Sequence, residues 1–244
     1  METPGAEVSE TASKKVDPDW DDYVSQFGSL FNTEDFKDKT LLEIASGTCD
    51  YYKLYLDKGI KKYISVEPNH SWQRIAKNKL IYNEIAKEYK FITSTYEKFE
   101  KTEKIDIIIC AGLLYHLISP FHFLEKLYEL DADTVGLETT NHLVDDTLET
   151  IWDDADEFAQ SISFRHQGRL VAEPLNDDGM RRTEQRPGGT FKKGIPLNMS
   201  LSPELTVWCM KQLSYELSGY TNVSYKNSSK DASCMMVFRK IREL

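Results

Sequence analysis

From Asp17 onward, apolar and polar positions fall into two alternating periods. Trp20, Tyr23, Val24, Phe27 and Leu30 recur at three- and four-residue intervals behind a run of Asp, which predicts an amphipathic helix over 17–31. Five short apolar runs, at 40–45, 63–66, 91–93, 105–110 and 134–137, predict strands. Helical stretches at 51–58, 71–87 and 120–130 separate them, the last opened by Ser119 in the cap position and Pro120 at the first helical position. Strands alternating with helices predict a parallel sheet covered on both faces and joined by right-handed crossovers. The nearly all-apolar run at 105–110 suits a central strand buried on both sides.

The rhythm stops after Thr140. Residues 141–200 hold an acidic stretch with helical character, then a Gly/Pro/Arg-rich section (GMRRTEQRPGGTFKKGIP) that carries no signal for regular structure. An interruption of this length predicts an inserted lid. Ser202 and Pro203 then start a helix running to about Ser218, with Gly219 as its C-cap. Two closing strands, near 221–226 and 233–240, are separated by a polar loop of hairpin length. The expected fold class is α/β: three layers around a seven-stranded, mainly parallel sheet with a C-terminal antiparallel hairpin, plus an inserted lid. Residues 1–16 read as a disordered lead and 17–244 as a single domain with an N-terminal helix and the insertion 141–200.

Composition excludes several classes. With 244 residues, 40% hydrophobic and 29% charged, the chain resembles an ordinary globular domain and is long enough to bury a core. The longest apolar run, 107–114, is far too short to span a bilayer, so no membrane partner is expected, and the polar N-terminus lacks a signal-peptide pattern. Cys49, Cys110, Cys209 and Cys234 are scattered without metal-ligand spacing, which predicts free thiols in a reducing cytoplasm and no metal.

Charge sharpens this picture. The net charge is −10, yet 1–40 alone carries −6 and 141–160 carries −7, while 165–193 holds seven bases against four acids. The acidic balance argues against a nucleic-acid partner, because polyanion binding rests on Lys and Arg contacts to phosphate. The basic stretch marks the place where an anionic ligand would be met.

The chemistry concentrates at strand ends. Leu41-Leu42-Glu43-Ile44-Ala45-Ser46-Gly47-Thr48-Cys49-Asp50 is a strand entering a small-residue loop, which lets backbone N–H groups approach a ligand closely. A dinucleotide fingerprint requires three spaced glycines, and here only Gly47 is present. The second strand ends Val66-Glu67-Pro68, placing a carboxylate 20 residues beyond Gly47, where it can accept hydrogen bonds from both hydroxyls of a ribose.

In these features the sequence resembles the class I S-adenosylmethionine-dependent methyltransferases over roughly 36–140 and 200–240. Their first motif has an acidic residue, three residues, then Gly-x-Gly; the chain matches with Glu43 and Gly47 and carries Cys49 at the second glycine. The resemblance implies S-adenosyl-L-methionine as cofactor. It would be held by Glu43, Ala45, Ser46, Gly47 and Thr48 of the first loop, by Glu67 and Pro68, by Thr95 and Tyr96 after the third strand, and by Ala111, Gly112 and Leu113 after the fourth. Thr95 stands where relatives often carry an acid for the adenine amino group. The run Leu114-Tyr115-His116-Leu117 before Ser119-Pro120 looks like the tRNA wobble-uridine carboxymethyl-transferring enzymes and their small-molecule relatives.

Methyl transfer from a sulfonium depends chiefly on alignment and exclusion of water, so a base is needed only where the acceptor loses a proton. His116 is the candidate base and Tyr115 the residue bordering the acceptor, although either side chain could instead be packing. Glu138, Asn141 and His142 follow the fifth strand at the same edge, and Asn141 and His142 are candidates for acceptor contact. Among the bases of the insertion, Arg181, Arg182 and Arg186 beside Pro187-Gly188-Gly189 are the candidates to clamp an anionic group, whereas the acids of 145–157 form a solvated face. Trp20, Tyr23 and Phe27 could either close over the cofactor or pack into the core.

The expected activity is therefore methyl transfer to an oxygen or nitrogen of a small anionic metabolite. A tRNA-modifying methyl or carboxymethyl transferase of the same fold is one alternative. A non-catalytic S-adenosylmethionine-binding partner subunit is the other.

Overall fold

The computed structural model describes residues 18–117, 119–140, 161–164, 168–172, 197–224 and 232–242. The chain enters through helix α1 (Pro18–Gly28) and the short helix α2 (Thr33–Phe36). Strand β1 (Thr40–Ile44) follows, then a 3-10 turn (Asp50–Tyr55), β2 (Ile60–Val66), α3 (His70–Tyr82) and β3 (Ala86–Ile92). β4 (Ile107–Cys110) leads through a second 3-10 turn (Leu114–His116) to α4 (Pro120–Leu130) and β5 (Thr134–Thr140). A separate group, β6 (Ser161–Phe164), β7 (Gly168–Ala172) and β8 (Leu197–Leu201), precedes α5 (Pro203–Gln212), β9 (Tyr215–Ser224) and β10 (Ala232–Lys240).

The main sheet has seven strands in the order β3-β2-β1-β4-β5-β10-β9, and β10 alone runs antiparallel to its neighbours. Side chains alternate across it, so the apolar runs split between two cores. Leu41, Tyr63, Ile107 and Ile109 face a layer containing Tyr23, Phe27, Ala76 and Leu80 of α1 and α3, whereas Leu42, Ile64, Ile108 and Cys110 face Phe123, Leu127 and Met210 of α4 and α5. Burial on both faces explains why β4 reads as a continuous apolar run and why even Glu43 of β1 is enclosed. The three-layer α/β architecture with a closing antiparallel hairpin agrees with the sequence expectation.

Several boundaries differ. The stretch expected as a helix at 51–58 forms a 3-10 turn over Asp50–Tyr55, entered through Cys49 in the left-handed conformation. The helix expected to reach 87 ends at Tyr82; Glu84 turns left-handed (φ 50°) and β3 begins at Ala86. The final helix starts as expected, with Ser202 Oγ accepting from Leu205 N–H at 3.2 Å, but stops at Gln212. Ser214 is left-handed (φ 62°) and Tyr215 is drawn into β9, so Gly219 lies within a strand and caps nothing. Here sheet pairing from Tyr215↔Lys240 onward overrides local helix preference. Strands 105–110 and 134–137 are adjusted to Ile107–Cys110 and Thr134–Thr140, which places Glu138 inside β5 rather than after it.

The insertion carries regular structure that the sequence did not signal. β6, β7 and β8 form an antiparallel three-stranded sheet, and β8 lies alongside the Leu114–His116 turn and the end of β5. Thr139 Oγ1 donates to Leu201 O at 3.1 Å and ties the two together. Residues 1–16, the acids of 145–157, and Asn141, His142, Arg181, Arg182 and Arg186 lie outside the described residues. Among the described residues, no helix is long and apolar enough to cross a membrane.

Candidate active site

Reversal of the strand order between β1 and β4 opens a crevice at the carboxyl ends of the parallel strands, the place where α/β sheets hold ligands. Glu67, the loop after β1 and the loop after β4 follow the carboxyl ends of β2, β1 and β4 at this edge. The loop after β1 is shaped by left-handed backbone at Ala45 (φ 56°), Gly47 (φ 54°) and Cys49 (φ 55°). Only Gly adopts this region without steric cost, so two of the three positions are strained. The α-carbon of Gly47 faces open space, with no atom within 4 Å of where a Cβ would stand. This is the room a ligand needs to reach backbone N–H groups. Ser46 and Ser65 share a hydrogen bond at 2.7 Å, and Thr48 Oγ1 donates to Asp50 at 2.8 Å, fixing the two shoulders of the loop.

Glu67 stands at the end of β2 and is buried, accepting from Gly47 N–H at 2.9 Å and from Asn69 N–H at 2.8 Å. Burial pushes its carboxyl above the usual carboxylate range, and the two backbone donors oppose that rise. It thus bridges the loop after β1 to the loop after β2, with exposed Pro68 between its two anchors.

Glu43, on β1, is in a different setting. Its carboxyl is enclosed by the Tyr63 hydroxyl, which donates to it, and by Cys49 Sγ at 3.7 Å, while the Tyr55 hydroxyl stands close without meeting hydrogen-bond geometry. Desolvation raises it to about 7 against the pull of these donors. The Cys49 thiol is itself pushed well above its ordinary range, first by burial and then by the Glu43 charge.

A third buried carboxylate completes the edge. Glu138 of β5 accepts from the Tyr23 hydroxyl of α1 and from the Tyr51 hydroxyl of the first 3-10 turn at 2.9 Å, and burial raises its carboxyl against the pull of these two donors. Sequence reasoning named Glu138 only as a neighbour of the edge and missed its partners. They come from two elements far from β5 in the chain, and no spacing rule relates them.

Ala111, Gly112 and Leu113 form a half-buried loop, with Gly112 left-handed (φ 78°). The Tyr115 hydroxyl lies 3.6 Å from the position a Cβ on Gly112 would take. Tyr115 and His116 are half-buried on the 3-10 turn, ring centroids 4.3 Å apart, beside β8. After β3, Thr95 is half-buried and Tyr96 packs edge-on against Phe123 at 4.9 Å, with its phenol pushed up to about 12 chiefly by burial. Gln73 of α3 was not foreseen: it accepts from Thr93 Oγ1 at 2.5 Å, and its buried Nε2 has no hydrogen-bond partner. Tyr23 and Phe27 are buried in the core, with Phe27 against Gly136 and ring centroids 6.1 Å from Tyr51.

No family model matches the sequence. The chain is 26% identical over 148 residues to a tRNA U34 carboxymethyltransferase of Helicobacter pylori, a match covering 57% of this chain and 51% of that protein. It thus spans about half the length of the curated relatives it matches. Among solved structures, an S-adenosylmethionine-dependent methyltransferase from Clostridium acetobutylicum superimposes with a TM-score of 0.56 at 12% identity, covering 93% of this chain and 94% of that one. The 1,6-didemethyltoxoflavin-N1-methyltransferase of Burkholderia thailandensis, solved with its acceptor and S-adenosylhomocysteine, gives 0.56 at 11% identity, covering 90% and 78%. The chain therefore has the fold of the class I S-adenosylmethionine-dependent methyltransferases.

Proposed function

We propose that this protein is an S-adenosylmethionine-dependent methyltransferase acting on an oxygen or nitrogen of a small anionic metabolite. The observation that carries the cofactor reading is Glu67. A buried carboxylate at the end of β2 is held by backbone amides alone, facing a loop with open space at Gly47. The residues fit the group: two backbone-held loops and a carboxylate for ribose hydroxyls on one side, and the half-buried Gly112 loop on the other. When bound, the cofactor supplies a methyl on a positive sulfur that leaves as a neutral thioether. The protein's part is to align acceptor and methyl and to exclude water. Tyr115 and His116 occupy the turn between the Gly112 loop and β8, where they can border an acceptor, and His116 can take a proton from a hydroxyl. The basic section of the insertion, with Arg181, Arg182 and Arg186, supports an anionic acceptor.

Titration with S-adenosylhomocysteine tests the cofactor half; no heat of binding overturns it. The pH–rate profile of His116→Ala tests the base: a lost acid limb supports that role, and an unchanged shape assigns His116 to packing. The similarity to tRNA U34 carboxymethyltransferases favours a second reading, a tRNA acceptor. Its signature is tRNA affinity that falls steeply with salt.

A further inference from the structure

Gln73 of α3 is an uneconomical choice for a residue that only packs. It is 7% exposed, its Oε1 accepts from Thr93 Oγ1 at 2.5 Å, and its buried Nε2 meets no hydrogen-bond partner among the described residues. An amide N–H left bare in the interior weakens the fold, and an apolar side chain of similar volume would avoid that cost. Its place in the fold gives the amide another use. β2 and β3 end side by side: Val66 pairs with Ile92, and Glu67 N–H donates to Ile92 O at 3.1 Å. Thr93 is the next residue of that edge. From the other direction, Gln73 N–H donates to Asn69 O at 2.9 Å, one turn into the helix that Asn69 caps. The Gln73 side chain therefore joins the start of α3 to the end of β3. Glu67 has Gly47 on the β1 side and the Gln73–Thr93 pair on the β3 side. Adjacent strands lie about 4.8 Å apart, so the amide stands within the length of one nucleoside from the carboxylate. Its chemistry suits a purine: ring nitrogens of adenine accept hydrogen bonds, and a side-chain NH2 donates them. The last torsion of a Gln side chain is broad, so this amide can turn toward a base while Thr93 keeps its carbonyl.

We propose that Gln73 selects the base of the cofactor: Thr93 holds its Oε1, and its Nε2 donates to N1 of the adenine ring. That atom accepts in adenine and carries a hydrogen in hypoxanthine, so the contact tells the two apart. The proposal rests on the methyltransferase reading above and makes Gln73 a specificity-determining residue.

The test uses the full chain with two probes, S-adenosylhomocysteine and S-inosylhomocysteine, the second having a hydrogen on N1 and an oxygen in place of the amino group. Calorimetry reads affinity, and thermal melting without ligand reads stability. The parent should prefer the adenosyl probe by about tenfold or more, because a site built around a hydrogen bond rejects the analogue that cannot make it. Q73L should bind the adenosyl probe about fivefold more weakly and reduce the preference to about twofold. It should also melt no lower than the parent, because the bare N–H is gone. Affinity and stability then move in opposite directions, which a packing role would not produce. Where Q73L does not fold, Q73M, unbranched as Gln is, carries the same measurements. A parent that binds both probes equally, or a Q73L variant that keeps the parent's preference, overturns the assignment and leaves the cofactor reading standing. A parent that binds neither probe overturns both.

Discussion

Glu43 and Glu67 end adjacent parallel strands, and both carboxyls are buried and raised by desolvation. They differ in who satisfies them. Glu43 is held by side chains, the Tyr63 phenol and the Cys49 thiol, inside the layer formed by α1, α3 and the first 3-10 turn. Glu67 is held by two backbone amides of the loops that border the crevice. A carboxylate closed in by side chains contributes to the packing and electrostatics of the core. One held from behind by backbone can turn its remaining lone pairs to a ligand. Two acids that look alike in the sequence are thereby satisfied in different ways, one by side chains and one by backbone.

The largest expected effect breaks this comparison on the Glu43 side. With its carboxyl raised from 4.5 to about 7, the folded state binds the proton more tightly than the unfolded chain. Its contribution to stability is then fully present below pH 4.5 and is lost as pH rises through about 7, a loss of roughly 3 kcal/mol. Glu43→Gln should remove that slope, so urea denaturation at pH 5 and pH 8 should differ less in the variant than in the parent. On the other side, Glu67→Ala should weaken S-adenosylhomocysteine binding by about 1–3 kcal/mol in calorimetry. Unchanged affinity would remove Glu67 from the site. Tyr63→Phe deletes a donor to Glu43 and should cost about 1–2 kcal/mol at pH 8, with less lost at pH 5, because the phenol favours the ionised form. Smallest is Ala45→Gly, in the loop between the two carboxylates: relief of the left-handed strain at φ 56° should offset the added chain entropy, leaving thermal stability within about 1 kcal/mol of the parent.

Much of the frame was legible along the chain because its signals are local. Pro120–Leu130 announces itself by Ser119, Pro120 and a clean apolar stripe, and all eleven helical residues fall where the pattern puts them. β1 and β4 were visible as apolar runs, and Glu67 by its distance from Gly47. The misreadings share one cause. Tyr215–Gly219 has helical spacing, yet it pairs with β10, a partner about twenty residues onward that no local rule identifies. β6, β7 and β8 likewise exist through pairing across an insertion whose composition suggests loop.

The sequence by itself determined the order of elements, the alternation that makes a covered parallel sheet, and the strand-end positions that can carry chemistry. Those depend on periodicity, capping and the conformational range of single residues. Only the tertiary structure decided which acids are enclosed and which border the crevice, because burial and hydrogen-bond partnership belong to elements brought together from far along the chain. Glu138 shows this most plainly. Nothing near it in sequence foretells Tyr23 and Tyr51, and it is the approach of α1 and the first 3-10 turn to one point of β5 that gives an ordinary strand glutamate its two phenol donors.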